Sequence, residues 1–176
     1  MFQPGEYIHH ATSGLCRVDE ITKLDLSGSD HDRLYYKLTP VDVRGSTVYT
    51  PVDNHKVAMR PVITTEQAKV LIQSIPSIEA FHSSDDKARE QMFKEAIHSV
   101  DCRDWVRVIK TLYERKQSRL SRGKKTTSTD EKYFRSAQDK LHGEIAFALG
   151  MRKEDVEGYI EKLILDDPVP AGETAI

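Results

Sequence analysis

Seven histidines and two cysteines are the first side chains in this sequence to weigh as metal ligands or nucleophiles. Two pairs have a chemically meaningful spacing. Glu79/His82 and Glu95/His98 both read Glu-x-x-His, which in di-iron bundles projects a carboxylate and an imidazole from one helical face. Such a centre needs both pairs turned inward, plus a Glu from each of two further helices. His82 falls just before a helix, while Glu95 and His98 flank an apolar stripe, so solvated or turn roles read better. His9-His10, with His31 or His55, is a second conceivable cluster, but neighbours on a strand point to opposite faces. Neither Cys-x-x-Cys nor His-Glu-x-x-His occurs. No metal and no cofactor are expected, and a metalloenzyme would rest on these histidines alone.

Acid–base chemistry fares no better. The acidic pairs Asp85-Asp86 and Glu154-Asp155 fall in expected first turns of helices, where negative charge meets the positive end of the macrodipole. Asp166-Asp167 lies in a polar tail. Gly-x-Ser-x-Gly and Gly-rich phosphate loops are absent, and Cys16 has no activating partner nearby in sequence. Catalysis is disfavoured. Cys16 and Cys102 indicate neither a disulfide framework nor a zinc site.

Charge is the stronger signal. The net charge of −2 conceals a segment, Lys87 to Lys125, with 12 basic and 5 acidic residues. Glu154 to Ile176 has 7 acidic residues against one Lys. A cationic patch of this density suits an anionic partner, nucleic acid above all. Arg103, Arg107, Lys110 and Arg115 lie mostly off the apolar stripe of one helix, and Arg119, Arg122, Lys124 and Lys125 follow, with Gly123 among them. Lys87 and Arg89 open the preceding helix. Phosphate contacts by four to six such groups would make binding steeply salt-dependent. The alternative is a solvated helix face. Trp105, the single tryptophan, could stack on nucleic acid, but its register with Val108, Ile109 and Leu112 assigns it to the core.

Two unlike sets of elements must carry these residues. Residues 1–61 read as short strands: Glu6–His10 and Leu15–Lys23 around an Ala11–Gly14 turn, then Leu34–Leu38, Ser46–Thr50 and His55–Arg60. Ser27–Asp30 and Arg44-Gly45 are turns. Five short strands in so few residues predict a strongly bent sheet or SH3/Tudor-like β-barrel. From residue 64 the period changes. Thr64-Thr65-Glu66-Gln67 is a capping box ahead of Ala68, Leu71, Ile72 and Ile75. Ser83 or Ser84 could cap a second helix with the stripe Ala88, Met92, Phe93, Ala96, Ile97, and Asp101 a third. Ser118–Asp130 is a loop by composition, and Ser128–Glu131 a second capping box before Phe134, Ala137, Leu141, Ile145 and Ala148, closed by Gly150. Lys153–Leu165 is the final helix. The expected architecture is α+β in two modules: a β domain over 1–61, a compact helical bundle over 64–165, and a flexible tail over 166–176.

Composition agrees with that division. At 176 residues, 38% hydrophobic and 31% charged, the chain has room for two small domains. No stretch approaches the roughly 18 apolar residues that span a bilayer. Met1-Phe2-Gln3-Pro4-Gly5 lacks the regions of a secretory signal, so a cytoplasmic monomer without membrane association is expected.

The order of motifs carries a resemblance. Phe2, Gly5-Glu6-Tyr7-Ile8, His10, Gly14-Leu15-Cys16-Arg17-Val18, Ile21, Tyr35-Tyr36 and Val48-Tyr49-Thr50-Pro51 resemble the RNA-polymerase-interacting module of the CarD family, also present in transcription-repair coupling factors. Asp104–Lys116 with Leu112-Tyr113-Glu114-Arg115, then Leu120-Ser121, Ala137, Leu141 and Glu144-Ile145-Ala146, are similar to the CarD C-terminal domain. The resemblance implies a non-enzymatic bacterial transcription regulator. Its Tudor-like module would dock on the β-subunit lobe of RNA polymerase by adding a strand edge. The matching strand is Ser46–Pro51, which places Thr47, Tyr49 and Pro51 at the contact with Lys23 and Arg44 nearby, unless Tyr49 packs inside the barrel. The helical domain would contact promoter DNA near the upstream edge of the bubble, largely through its backbone, and stabilise the open complex. Where better-known members carry a wedge tryptophan early in the second helix, this chain has Asp85 or Asp86. An alternative therefore keeps polymerase docking without productive DNA contact.

Overall fold

Alternating, β-branched-rich segments in the first third of the chain pair into one antiparallel sheet. The computed structural model describes residues 1–24, 32–43 and 45–166. The Ser27–Asp30 turn, His31, Arg44 and the tail from 167 lie outside the described residues. Strands β1 (Tyr7–His10), β2 (Gly14–Lys23), β3 (Leu34–Pro40), β4 (Val48–Pro51) and β5 (Met59–Pro61) take the order β4-β3-β2-β1-β5. Gly14, at φ +71, supplies the left-handed residue that turns β1 back into β2. The β2–β3 register shifts between Val18 and Glu20, a bulge at Asp19 that bends the long β2 strand. Ile8, Cys16, Val18, Tyr36 and Leu38 form the buried core, with Phe2, Ile21, Val48, Val52 and Met59 packed on it. The Tyr36 hydroxyl accepts the Phe2 N–H at 3.0 Å, which ties the N-terminal segment onto this core.

Beyond Ile63 the apolar period becomes helical. The elements are α1 (Thr65–Ser74), α2 (Asp86–His98), α3 (Cys102–Ser121), α4 (Ser128–Leu149) and α5 (Val156–Asp166), with 3-10 turns at Ile75–Ser77 and Lys153–Asp155. Thr64 forms the expected capping box with Gln67. Asp101 caps α3 by accepting from the Arg103 N–H, and Gly150 closes α4 in the left-handed conformation. Trp105, Phe93, Ile72, Ile145, Val108 and Val156 are fully buried and head the helical core. Trp105 is thus a core residue, as its register predicts.

Four local readings are corrected. Asp85, not Ser83 or Ser84, caps α2, its carboxylate accepting the Ala88 N–H at 2.8 Å. Ala88 is exposed and the buried stripe runs Arg89, Phe93, Ala96, Ile97. Thr127 rather than Ser128 caps α4, accepting from the Asp130 N–H at 3.1 Å, and α3 extends four residues, Ser118 to Ser121, into the polar stretch read as loop. The chain divides into two units, Met1–Val62 with His98–Val100, and Ile63–Ile97 with Asp101–Ile176.

Candidate partner-binding surfaces

In the first unit the geometry of β4 follows from its ladder. Pro51 pairs with Tyr35, Thr50 with Tyr36, Tyr49 with Lys37 and Val48 with Leu38. The Val52 N–H donates to the Leu34 carbonyl at 2.9 Å, which makes Pro51–Tyr35 a non-hydrogen-bonded pair. By alternation Tyr49–Lys37 is another. The backbone N–H and C=O of Tyr49, and the C=O of Pro51, therefore face away from β3. Among the described residues no strand pairs with that side of β4. Pro51 sits where its missing N–H costs the ladder nothing.

Side chains alternate with the same period. Val48 packs on the core and Thr50 is buried, where its hydroxyl lies 3.2 Å from His10 Nε2. His10 Nδ1 accepts the Ser13 N–H, so Nε2 carries the proton and donates to Thr50. Tyr49 is 44% exposed and Thr47 is exposed, so Tyr49 does not pack inside the sheet. Lys23, at the end of β2, is exposed and paired with Asp32 at 2.9 Å. Arg44 lies outside the described residues.

In the second unit packing divides the ten candidate cations. Lys110 Nζ donates to the carbonyls of Ile75, Pro76 and Ile78 at 2.7, 3.1 and 2.6 Å, capping the turn that ends α1. Arg107 stacks 3.9 Å over the Phe81 ring and donates to the Glu79 carbonyl. Arg115 bridges Asp130 at 2.9 Å and Asp86 at 3.3 Å. Arg89 is buried between Asp86 and the Ser83 carbonyl, and burial, then the neighbouring Arg115, lowers its pKa. Arg119 donates through Nε to the Lys125 carbonyl at 2.8 Å, fixing the loop after Gly123. Lys87, Arg103, Arg122, Lys124 and Lys125 are exposed, with no intramolecular ionic partner among the described residues. Five candidates thus hold the fold and five present charge to solvent.

The groups weighed for catalysis are also placed. Burial, with Asp42 adding to it, pushes the Cys16 thiol up to about 11, which leaves it unreactive near neutrality. Cys102 Sγ lies 3.4 Å from Glu144 Oε2. Glu144, buried in α4, also accepts the Ile63 N–H at 3.0 Å, a structural role that no local motif signals. Glu95 and His98 are exposed, as is His82. Among the described residues no group of three or more His, Cys, Asp or Glu could hold a metal ion. No described helix is long and apolar enough to cross a membrane.

Among the described residues, a Tudor-like antiparallel sheet with an unpaired edge strand, followed by five helices, defines a two-module α+β class. The model of the CarD-like/TRCF RID domain matches residues 2–63, and that of the CarD, C-terminal domain matches residues 71–161. The chain belongs to the CarD family, a non-enzymatic family of transcription factors, and its domains mark it as an RNA-polymerase-interacting transcription regulator. No curated protein matches it significantly.

Proposed function

We propose that this chain is a non-enzymatic, monomeric cytoplasmic regulator of bacterial transcription that couples the polymerase β-subunit lobe to promoter DNA. The β4 edge, with Thr47, Tyr49 and Pro51 and assisted by the cations Lys23 and Arg44, receives a strand of the lobe. Lys87, Arg103, Arg122, Lys124 and Lys125 contact phosphates near the upstream edge of the bubble. By holding the open complex more tightly than the closed one, the chain raises the open population. A difference of about 1.4 kcal/mol shifts the ratio tenfold.

The observation that carries this reading is the outward-facing Tyr49 backbone on an unpaired edge. Strand addition takes its affinity from such groups. The direct test is Tyr49→Pro, which removes an edge donor while sparing every β3–β4 ladder bond. It should weaken binding to the isolated β lobe by at least about tenfold, with the thermal transition retained. Unchanged affinity in a pull-down or interferometry assay would exclude edge docking.

A second reading, docking without productive DNA contact, has its own observation. Half of the candidate cations are committed to intramolecular partners, and Asp85 and Asp86 begin α2. Charge reversal of Arg122, Lys124 and Lys125 separates the two. A shortened open-complex lifetime supports DNA contact, and an unchanged one supports docking alone.

A further inference from the structure

Helix α3 carries an apolar face longer than the core that covers it. Val106, Ile109, Tyr113, Lys116 and Leu120 repeat at spacings of three and four, so they form one line along the helix. Val106 is buried and Ile109 is partly buried against the core. From Tyr113 onward the same line runs into solvent. Tyr113 is 57% exposed and Leu120 51%, and Lys116 between them is exposed. An aromatic ring and a Leu held in water on a rigid helix are costly unless a partner covers them.

Charge selects the partner. The exposed cations Arg122, Lys124 and Lys125 follow Leu120 directly, and Lys116 interrupts the apolar line itself. A second copy of this chain seated on the stripe would oppose Lys116 with cations of its own kind. An anionic partner that also offers flat apolar surface meets both demands, and DNA does so with phosphates beside base faces. We infer that Tyr113 and Leu120 form an apolar contact to DNA bases at a distorted or unpaired step, framed by Lys116 and Arg122. This inference rests on the proposed DNA contact and deepens it. The cations set position and salt dependence, and the stripe supplies contact energy that salt does not screen.

The test uses the full chain and two fluorescently labelled duplexes, one fully paired and one with an unpaired bubble, titrated at two salt concentrations. Tyr113→Ala with Leu120→Ala should weaken bubble binding about tenfold while leaving the slope of log affinity against log salt unchanged. Tyr113→Trp should retain or strengthen binding. Charge reversal of Arg122, Lys124 and Lys125 should instead reduce the slope by about three. Because both stripe residues are more than half exposed, the double variant should keep its thermal transition. If the charge reversal weakens binding and the stripe variant stays within twofold of the parent, the stripe inference is wrong and the DNA reading stands. If the unaltered chain binds neither duplex, the DNA reading itself fails. If the stripe variant loses affinity for polymerase rather than for DNA, the face is a protein interface and the inference is overturned.

Discussion

The two units offer partners different kinds of chemistry. Strand β4 presents backbone groups whose direction is dictated by the ladder to β3, so their geometry is rigid and independent of side-chain rotamers. The α3–α4 end presents Arg122, Lys124 and Lys125, long side chains whose charge is fixed and whose positions are not. In the sheet, availability follows from topology: a strand at the end of the order keeps one side unpaired. In the helices it is a remainder, the cations left after Lys110, Arg107, Arg115, Arg89 and Arg119 have been drawn into packing. A backbone edge suits one shaped protein strand, and mobile cations suit phosphates met at any sequence.

The largest effect expected on either unit is cavity formation. Phe93 is buried among Phe81 and Tyr133, with ring centroids 6.3 and 5.6 Å away. Phe93→Ala should cost about 3–5 kcal/mol in chemical denaturation. Leu38, fully buried in the sheet, should cost about 2–5 kcal/mol as Leu38→Ala. If Leu38→Ala cost less than about 1 kcal/mol, the small sheet core would be too loosely packed to hold β4 as a rigid edge.

A smaller effect separates structural from solvent-facing cations. Arg115→Ala leaves Asp130, which is only 16% exposed, without its 2.9 Å ion pair and should destabilise by about 1.5–3 kcal/mol. Arg122→Ala should move stability by less than about 0.5 kcal/mol yet reduce DNA affinity. Finding both variants equally destabilising would erase the distinction drawn between the two sets of cations.

That distinction marks where sequence reading stops. The strands, the capping box at Thr64, the Asp101 cap and the inward Trp105 were legible because each depends on residues within one or two turns. The resemblance singled out Thr47, Tyr49 and Pro51 but left open whether Tyr49 packs inside the sheet, which only the register of β4 against β3 and the exposure of the ring decide. The fate of the cations was not legible, because their partners lie far along the chain: Lys110 reaches back to carbonyls at 75–78, and Arg115 reaches forward to Asp130. Arg89 took a stripe position assigned to Ala88 for a different reason: its near neighbours, the Asp86 carboxylate and the Ser83 carbonyl, satisfy a guanidinium that burial alone would penalise. Thr127 outcompeted Ser128 as a cap by a single residue, a margin that composition does not resolve.

A further small effect, this one dependent on pH, concerns the bulge that shapes the sheet. Asp19 falls at the break in the β2–β3 register, and its carboxylate accepts the Thr39 hydroxyl at 2.5 Å and the Arg17 guanidinium at 2.8 Å. The Thr39 hydrogen bond, with Arg17 assisting against the opposing effect of burial, holds its pKa below the usual carboxylate value. A depressed folded-state pKa stabilises the fold above the unfolded value, near 3.9. That contribution is lost as pH falls through the lower, folded value. Asp19→Asn keeps an acceptor for Thr39 and deletes the charge. It should lower stability at pH 7 by less than about 1 kcal/mol, because Arg17 is half exposed and solvent screens it. The acid limb of the stability curve should flatten in the same variant, since no carboxylate remains to titrate at the bulge. A variant that kept the parent's full acid dependence would show that the bulge is held by the strand backbone rather than by this carboxylate.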